Sequence, residues 1–230
     1  MLFRSYNVTI DQTGETQVFT SSPAKITGLK NGQSYSFTIT AENINGKSEE
    51  VTTNNVKPQA GVTPTTIDKS ANAKYLATGL FKTNPVIAYS DSISGNLKLA
   101  TYSKKKWSTA IIDGNSTSKG KSDRNLAGPV SLCTTGSKSK ERLHLFYTDM
   151  ENKDLRHATY DGKTWKYEVV DGDGDFVQNY KEFPRRKTAS DVSISNACAV
   201  TPSGLQVFYR DESQGILLGA ALTDEGWVYE

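Results

Sequence analysis

The sequence predicts an all-β protein in which a short sandwich-like segment precedes a series of repeated four-stranded units. Three observations lead to this prediction. Apolar and polar residues alternate with a period of two in many segments, as expected for strands with one buried face. One pattern of five anchor residues recurs three times after residue 70. Turns rich in Gly, Asn and Ser separate the apolar stretches, and acid-rich helical stretches are missing.

The composition argues against several classes of protein. The chain carries 27 basic and 25 acidic side chains, so its net charge of +2 gives no general attraction to nucleic acid or anionic membranes. No apolar run approaches the roughly 18 residues that a membrane-spanning helix needs. The N-terminus, MLFRSYNVTI, lacks the features of a signal peptide. The abundance of Thr, Ser, Asn and Gly suits an extracellular β protein.

Histidine and cysteine are scarce, which limits the chemistry available. The chain has two His and two Cys and no CxxC motif, so a tetrahedral zinc site lacks ligands. Cys133 and Cys198 fall in equivalent strands of the repeat described below. We interpret them as small core residues, with a disulfide between repeats as the alternative.

The first strands lie in residues 1–57. Alternation predicts strands at Tyr6–Ile10 and Thr16–Thr20 and a third strand after Tyr35. The segment resembles a fibronectin type III domain in a set of spaced residues: Leu29, Gly32, Tyr35, Phe37, Ile39, Ala41, Asn43, Gly46 and Ser48. The resemblance implies a tyrosine corner, in which the Tyr35 hydroxyl bonds back to the upstream backbone. The chain begins at what would be the third strand, so we expect a truncated sandwich, followed by a linker at 58–69.

Residues 70–230 contain one unit three times. Its anchors are Tyr89, Tyr147 and Tyr209; Asp91, Asp149 and Asp211; Leu97, Leu155 and Leu217; Ala100, Ala158 and Ala220; and Trp107, Trp165 and Trp227. The spacing within each copy is the same, with Asp two residues after Tyr, Leu six after Asp, Ala three after Leu and Trp seven after Ala. Such agreement is hard to obtain by chance.

Each copy contains an apolar strand before its Tyr, which brings the count to four strands per unit. The period and strand count predict blades of a β-propeller, at about 70–120, 121–180 and 181–230. Known rings have about four to eight blades, so three are a partial propeller. We expect that the chain is a fragment of a longer protein, with self-assembly of several copies into a ring as the alternative.

The second unit, LHLFYTDMENKDLRHATYDGKTW, resembles blades of sialidase-like propellers and of fungal fucose-specific lectins. That resemblance implies glycan binding between blades by aromatic stacking and hydrogen bonds. The lectins carry Arg in the second strand and Glu in the third, and His144 and His157 occupy those positions here. The candidate ligand-binding residues are Tyr147, Asp149, Arg156, His157 and Trp165.

Catalysis is the less favoured function. A glycosidase uses one pair of carboxylates, whereas the Asp of the Tyr-x-Asp motif recurs in all three units and so predicts a turn-capping role. We therefore expect an extracellular, non-catalytic recognition module that binds a glycan or cell-surface ligand and no nucleic acid. The alternatives are a fragment of a propeller glycoside hydrolase and a structural surface or tail-fibre protein.

The stretch VVDGDGDFVQNYKEF resembles a calcium loop, with acids at Asp171, Asp173 and Asp175 and Glu182 at the twelfth position. An EF-hand requires flanking helices and a Gly at position six, where this chain has Phe176. The three aspartates are therefore candidate ligands only for a calcium ion in a loop between blades. No other cofactor is expected.

Overall fold

The computed structural model describes residues 5–61, 64–175, 177 and 185–230, and it is built almost entirely of strands. The predicted all-β class is confirmed. The chain divides into two compact units, Met1–Thr65 and Thr66–Glu230. The helices of the described residues are two 3-10 turns, Ser118–Gly120 and Lys138–Lys140. None of the helices in this described part could span a membrane.

The first unit is a five-stranded antiparallel sheet. Its strands are β1 (Ser5–Ile10), β2 (Glu15–Phe19), β3 (Phe37–Asn43), β4 (Gly46–Lys47) and β5 (Val51–Thr52). The order is β2-β1-β3-β4, and β5 pairs with β3. Strands β1, β2 and β3 lie where the alternation predicts them. The Tyr35 hydroxyl accepts a hydrogen bond of 3.0 Å from the Lys30 backbone N–H, the bond expected of a tyrosine corner.

The second unit consists of three four-stranded antiparallel sheets, which we call blades A, B and C. Blade A comprises β6 (Ala73–Phe81), β7 (Asn84–Asp91), β8 (Leu97–Ser103) and β9 (Lys106–Asp113). Blade B comprises β10 (Val130–Thr135), β11 (Arg142–Asp149), β12 (Asp154–Tyr160) and β13 (Trp165–Asp171). Blade C comprises β14 (Asn196–Thr201), β15 (Gly204–Asp211), β16 (Ile216–Thr223) and β17 (Gly226–Tyr229). In every blade the strands follow one another in chain order, as in a propeller blade.

Apolar side chains fill both junctions between blades. Val86 and Leu99 of blade A pack with Leu143 and Leu145 of blade B in one core. A second core joins blades B and C, and it includes Phe146. Leu143 and Leu145 are fully buried, and burial of one such side chain contributes about 1.5–3 kcal/mol. These two cores hold the three blades in a stack, because each blade buries a face against its neighbour.

A disulfide links Cys133 and Cys198, with the Cα atoms 6.2 Å apart. Our interpretation of both as small core residues was wrong, and the alternative holds. Cys133 pairs with His144, three residues before the blade B Tyr, whereas Cys198 pairs with Val207, two residues before the blade C Tyr. This offset of one residue turns the two side chains to opposite faces of their strands. They therefore point toward each other across the junction of blades B and C.

Candidate functional site

A buried tyrosine–aspartate hydrogen bond recurs at the start of each blade. The tyrosine of the second strand donates to an aspartate that precedes the blade in the chain. The pairs are Tyr89 to Asp68 at 2.7 Å, Tyr147 to Asp113 at 2.6 Å and Tyr209 to Asp171 at 2.7 Å. Burial and the neighbouring carboxylate raise the pKa of all three tyrosines. We call this pair the latch. Asp113 and Asp171 end blades A and B, so the latches of Tyr147 and Tyr209 fasten consecutive blades, whereas Asp68 joins blade A to the segment before it.

The aspartates of the Tyr-x-Asp motif cap the turns that follow the second strand. Asp149 is completely buried, and its Oδ1 accepts the backbone N–H groups of Glu151 and Asn152, both at 3.0 Å. Asp91 accepts the Ile93 N–H, and Asp211 accepts the Gln214 N–H. The predicted turn-capping role is confirmed in all three blades.

The residue beside each latch differs between blades. In blade A it is Lys98, which lies 2.9 Å from Asp91 and 3.4 Å from Asp68. In blade B it is Arg156, whose Nη2 donates to the Gly120 carbonyl at 2.6 Å. Blade C has Leu218 at this position. A buried cation therefore balances the carboxylates of the first two latches, and both cations are used inside the protein.

The five predicted ligand-binding residues lie on both faces of blade B. Tyr147, Arg156 and Trp165 face blade A: Tyr147 and Arg156 contact the Asp113–Gly120 segment, and Trp165 packs into the core shared with blade A. His157 faces blade C, where its ring lies against Trp227. Asp149 caps its turn. These side chains do not meet in one pocket, and only His157 lies in the polar cluster described next.

A chain of four polar side chains crosses the blade B face that packs against blade C. Thr135 Oγ1 lies 2.8 Å from His144 Nε2, and His144 Nδ1 lies 2.9 Å from His157 Nε2. His157 Nδ1 lies 2.8 Å from Glu168 Oε1. A carboxylate only accepts hydrogen bonds, so His157 Nδ1 donates to Glu168. The directions of the two contacts made by His144 follow from the tautomers of the two rings.

Electrostatics keep the His144 imidazole neutral. Burial, followed by the proximity of His157 and Arg142, lowers the pKa of His144 to about 3. At the other end, the hydrogen bond from His157 lowers the pKa of Glu168. Glu168 is therefore an anion at neutral pH. Its side chain is 47% exposed, whereas that of His157 is 2% exposed. The chain thus presents one half-exposed carboxylate at the surface, held in place by a buried imidazole.

Trp227 of blade C completes the cluster. Its ring lies edge-on to His157 at 5.5 Å and to Phe146 at 5.8 Å between centroids. The Nε1–H of this indole is close enough to Glu168 to lower the pKa of the carboxyl group. The Nε1 atom itself is buried. The cluster therefore places a half-exposed carboxylate beside an aromatic ring at one junction.

This cluster is specific to blade B, unlike the latch. Blade A has Val86, Leu99 and Ala110 where blade B has the two histidines and Glu168. Blade C has Gln206 and Gly219 at the histidine positions but keeps an acid, Glu230, at the position of Glu168. The sequence-based prediction did not include Glu168, and it gave Trp227 only a packing role. The available signal was a pair of histidines at two positions that carry no histidine in the other blades.

The acidic stretch after blade B does not assemble into a cage. Asp171 is buried and accepts hydrogen bonds from the Thr188 N–H at 2.6 Å and the Tyr209 hydroxyl at 2.7 Å. Asp173 pairs with Lys187 at 2.9 Å, and Asp175 is exposed. Within the described ranges no group of three His, Cys, Asp or Glu side chains is placed to hold a metal ion. Glu182 and Phe176 lie outside these ranges. The arrangement gives the calcium hypothesis no support.

The fold and the junction together define a class: a blade-type β-propeller segment with one polar cluster between two blades. No protein-family model matches the chain, and no curated protein sequence matches it significantly. Several solved structures resemble it. They include an Aleuria aurantia lectin variant bound to α-methyl-L-fucoside, at 11% identity and a TM-score of 0.45. The fucose-specific lectin of Aleuria aurantia, in a mercury derivative, matches at 12% identity and a TM-score of 0.46.

A third similar structure is a triple mutant of AofleA from Arthrobotrys oligospora, at 11% identity and a TM-score of 0.45. The matches cover 87%, 87% and 95% of this chain but only 52%, 53% and 62% of the lectins. The chain therefore spans about half to three-fifths of the length of these structures. Likeness at this level carries no inference about ligand or activity.

Proposed function

We propose that this protein is a non-catalytic carbohydrate-recognition module whose ligand binds at the outer junction of blades B and C. One observation carries the proposal: Glu168, His157 and Trp227 meet there, and among the described residues no equivalent cluster lies at the A–B junction. The latches and turn caps are repeated and satisfied internally, whereas this cluster places a half-exposed carboxylate beside an indole ring.

The chemistry suits a sugar. A pyranose has an apolar C–H face that an aromatic ring covers and a rim of hydroxyl groups that carboxylates and N–H donors bind. Glu168 accepts from a hydroxyl through the oxygen that His157 leaves available, and the half-buried Trp227 ring lies beside this carboxylate. Hydrogen bonds to a charged group contribute about 1.5–3 kcal/mol when well formed. The buried His157 fixes the direction of the carboxylate, so little side-chain entropy is lost on binding.

An extracellular location is part of the proposal. The Cys133–Cys198 disulfide supports it, because structural disulfides persist mainly in oxidising compartments. The first unit, with its tyrosine corner at Tyr35, would serve as a fibronectin-type spacer that displays the propeller. Completion of a ring by several copies also remains a proposal, and sedimentation of the purified chain tests it.

A glycan array followed by calorimetric titration of the best ligand tests the function. Glu168→Gln should weaken binding about tenfold, because the amide still accepts from His157 but has lost its charge. Trp227→Ala should abolish binding. The matched control is Trp165→Ala, which removes the equivalent anchor of blade B on the face turned to blade A and should leave affinity unchanged.

Three outcomes separate the candidate functions. Binding without turnover supports the proposal. Release of a chromogenic aglycone from the bound sugar would instead establish a glycoside hydrolase. No binding to any arrayed glycan, with the fold confirmed by the blade tryptophan fluorescence, would leave a structural protein as the remaining candidate.

A further inference from the structure

Blades A and B share one end that is built from tight hairpins. Because the strands of a blade alternate in direction, its β6/β7-type and β8/β9-type hairpins emerge at the same end. Contacts across the junction align the two blades there: the Lys82 N–H donates to Glu141 Oε2 at 3.1 Å, and Lys82 Nζ donates to the Asp161 carbonyl at 3.4 Å. We call this end of blades A and B the hairpin rim.

The hairpin rim is strongly cationic. Its exposed basic side chains are Lys82, Lys104, Lys105, Lys106, Lys138, Lys140, Arg142 and Lys163. None of them forms an ion pair with any residue of the described ranges. The acids at this end, Glu141 and Asp161, already accept backbone N–H groups. Eight of the 27 basic side chains of the chain thus lie together at one end of two blades.

Several of the rim lysines have a backbone conformation that lysine disfavours. Lys82 and Thr83 have φ values of 48° and 67°, and Lys104 and Lys105 have φ values of 51° and 62°. Two central residues with positive φ form the tight hairpin turn for which Asn-Gly is strongly preferred. Lysine has a Cβ that disfavours this left-handed conformation. Lys138, at 53°, is a further case. The conformational preference of lysine therefore disfavours it at four rim positions, namely Lys82, Lys104, Lys105 and Lys138.

Blade C shows that the fold does not require these lysines. Its two corresponding turns consist of Pro202 and Ser203 and of Asp224 and Glu225. A glycine follows each turn and takes the positive φ itself, 121° at Gly204 and 118° at Gly226. The same connection is thus made with acidic or neutral residues and without lysine in the left-handed region.

The rim also contains a cleft of a size that fits a sugar unit. Ser139, Lys140, Arg142, Asp161 and Lys163 line an open space of about 610 Å³, within the range of small-molecule sites. Three cations and two hydroxyl-binding groups converge on it. Beside the Lys104–Lys105 turn, the half-buried rings of Tyr102 and Trp107 pack with their centroids 5.3 Å apart.

We propose that the hairpin rim of blades A and B binds an acidic polysaccharide, one that carries sulfate or carboxylate groups along the chain. This deepens the proposed carbohydrate recognition, on which it rests, by naming a ligand class and a second surface. Anionic groups of the polymer meet the unpaired lysines and Arg142. Its hydroxyl groups meet Ser139 and Asp161, and sugar rings cover the Tyr102–Trp107 pair.

A carboxylate inside the cleft favours a polysaccharide over a nucleic acid. Asp161 accepts hydrogen bonds from the free hydroxyl groups that lie between the anionic groups of an acidic polysaccharide, whereas the DNA backbone has no free hydroxyl group between its phosphates. Charge at the rim is also exposed, so binding must weaken as salt screens it.

The test is the affinity of the purified chain for a heparin-derived hexasaccharide, its fully desulfated counterpart and a DNA oligonucleotide of equal charge, at low and physiological salt. The sulfated hexasaccharide should bind and should weaken with salt. The triple variant Lys140→Gln, Arg142→Gln, Lys163→Gln should lose about tenfold or more in affinity. The control, Lys25→Gln, Lys30→Gln, Lys119→Gln, removes three exposed lysines elsewhere and should change affinity less than about twofold.

A second variant separates loss of affinity from loss of stability. Lys104→Asn with Lys105→Gly supplies the residues that the turn prefers, so it should raise the melting temperature while it lowers hexasaccharide affinity. The inference fails if the sulfated hexasaccharide does not bind, if the control loses as much affinity as the rim variant, or if DNA of equal charge binds as tightly.

Failure of this inference is distinguishable from failure of the proposed junction site. Glu168→Gln should lower the affinity for an array-selected neutral glycan and leave the affinity for the hexasaccharide unchanged. The rim variant should lower the affinity for the hexasaccharide and leave that for the neutral glycan unchanged. Loss of both ligands in either variant would contradict the existence of two separate surfaces.

Discussion

Acidification should weaken the junction of blades B and C through one side chain, His144. In the folded chain its pKa is lowered to about 3 by burial and then by the proximity of His157 and Arg142. In the unfolded chain the ordinary value is 6.5. Between these two values the unfolded chain binds a proton that the folded chain does not. The free energy of unfolding therefore falls as the pH falls through this window.

The magnitude follows from the two pKa values. Each pH unit in the window removes about 1.4 kcal/mol, so the loss between neutral pH and about pH 4 is about 3 kcal/mol. This is a large share of the 5–15 kcal/mol that stabilises a typical domain. Other groups change stability in the same range. Asp154, whose pKa is raised to about 6 by burial and by neighbouring carboxylates, adds stability as the pH falls and so opposes His144.

A comparison with His144→Gln isolates the contribution of His144. Glutamine can accept from Thr135 and donate to His157, but it does not titrate. Urea unfolding is measured at several pH values by tryptophan fluorescence. This signal reports on the propeller unit alone because all three tryptophans lie in the blades. The free energy difference between wild type and variant should shift by about 3 kcal/mol from pH 7 to pH 4. Parallel curves, or a His144 pKa near 6 measured by NMR, would refute the reasoning.

Three further predictions use the same unfolding assay. Tyr147→Phe removes a latch hydroxyl from a buried carboxylate and should cost about 2–3 kcal/mol; an unchanged midpoint would contradict a fastening role. Reduction of the Cys133–Cys198 disulfide opens a loop with a sequence separation of 65 and should cost about 4 kcal/mol, with no effect of reductant on a double alanine variant. Lys104→Asn with Lys105→Gly should stabilise the chain by about 1 kcal/mol or more; a loss of stability would show that the lysine side chains pack.

Repetition made much of the fold predictable. Tyr147, Asp149 and Trp165 recur at fixed offsets in all blades, so their strands and their turn could be assigned without coordinates. Repetition also predicted a turn-capping role for Asp149, although all three residues were candidates for ligand binding. In the structure the polar atoms of Tyr147 and Asp149 are bonded inside the protein.

The polar cluster and the disulfide could not be predicted, because both depend on strand register. His144 and Glu168 lie 24 positions apart, and only the antiparallel register of three strands places them in one hydrogen-bonded chain. The cysteines illustrate the same limit. Equivalent strands suggested equivalent orientation, but a shift of one residue in pairing turned Cys198 to face Cys133. Orientation in a sheet is set by such single-residue shifts, which composition and spacing do not encode.

The latch has a consequence for how such a chain could have grown during evolution. Every blade carries a tyrosine that requires an aspartate on its upstream side, and blades A and B each end in the aspartate that the next blade requires. A duplicated unit therefore brings both a donor for its predecessor and an acceptor for its successor. Insertion of one more copy leaves no buried carboxylate without a partner. Tandem duplication is thus compatible with stability at each step, while the positions beside the latch remain free to diverge.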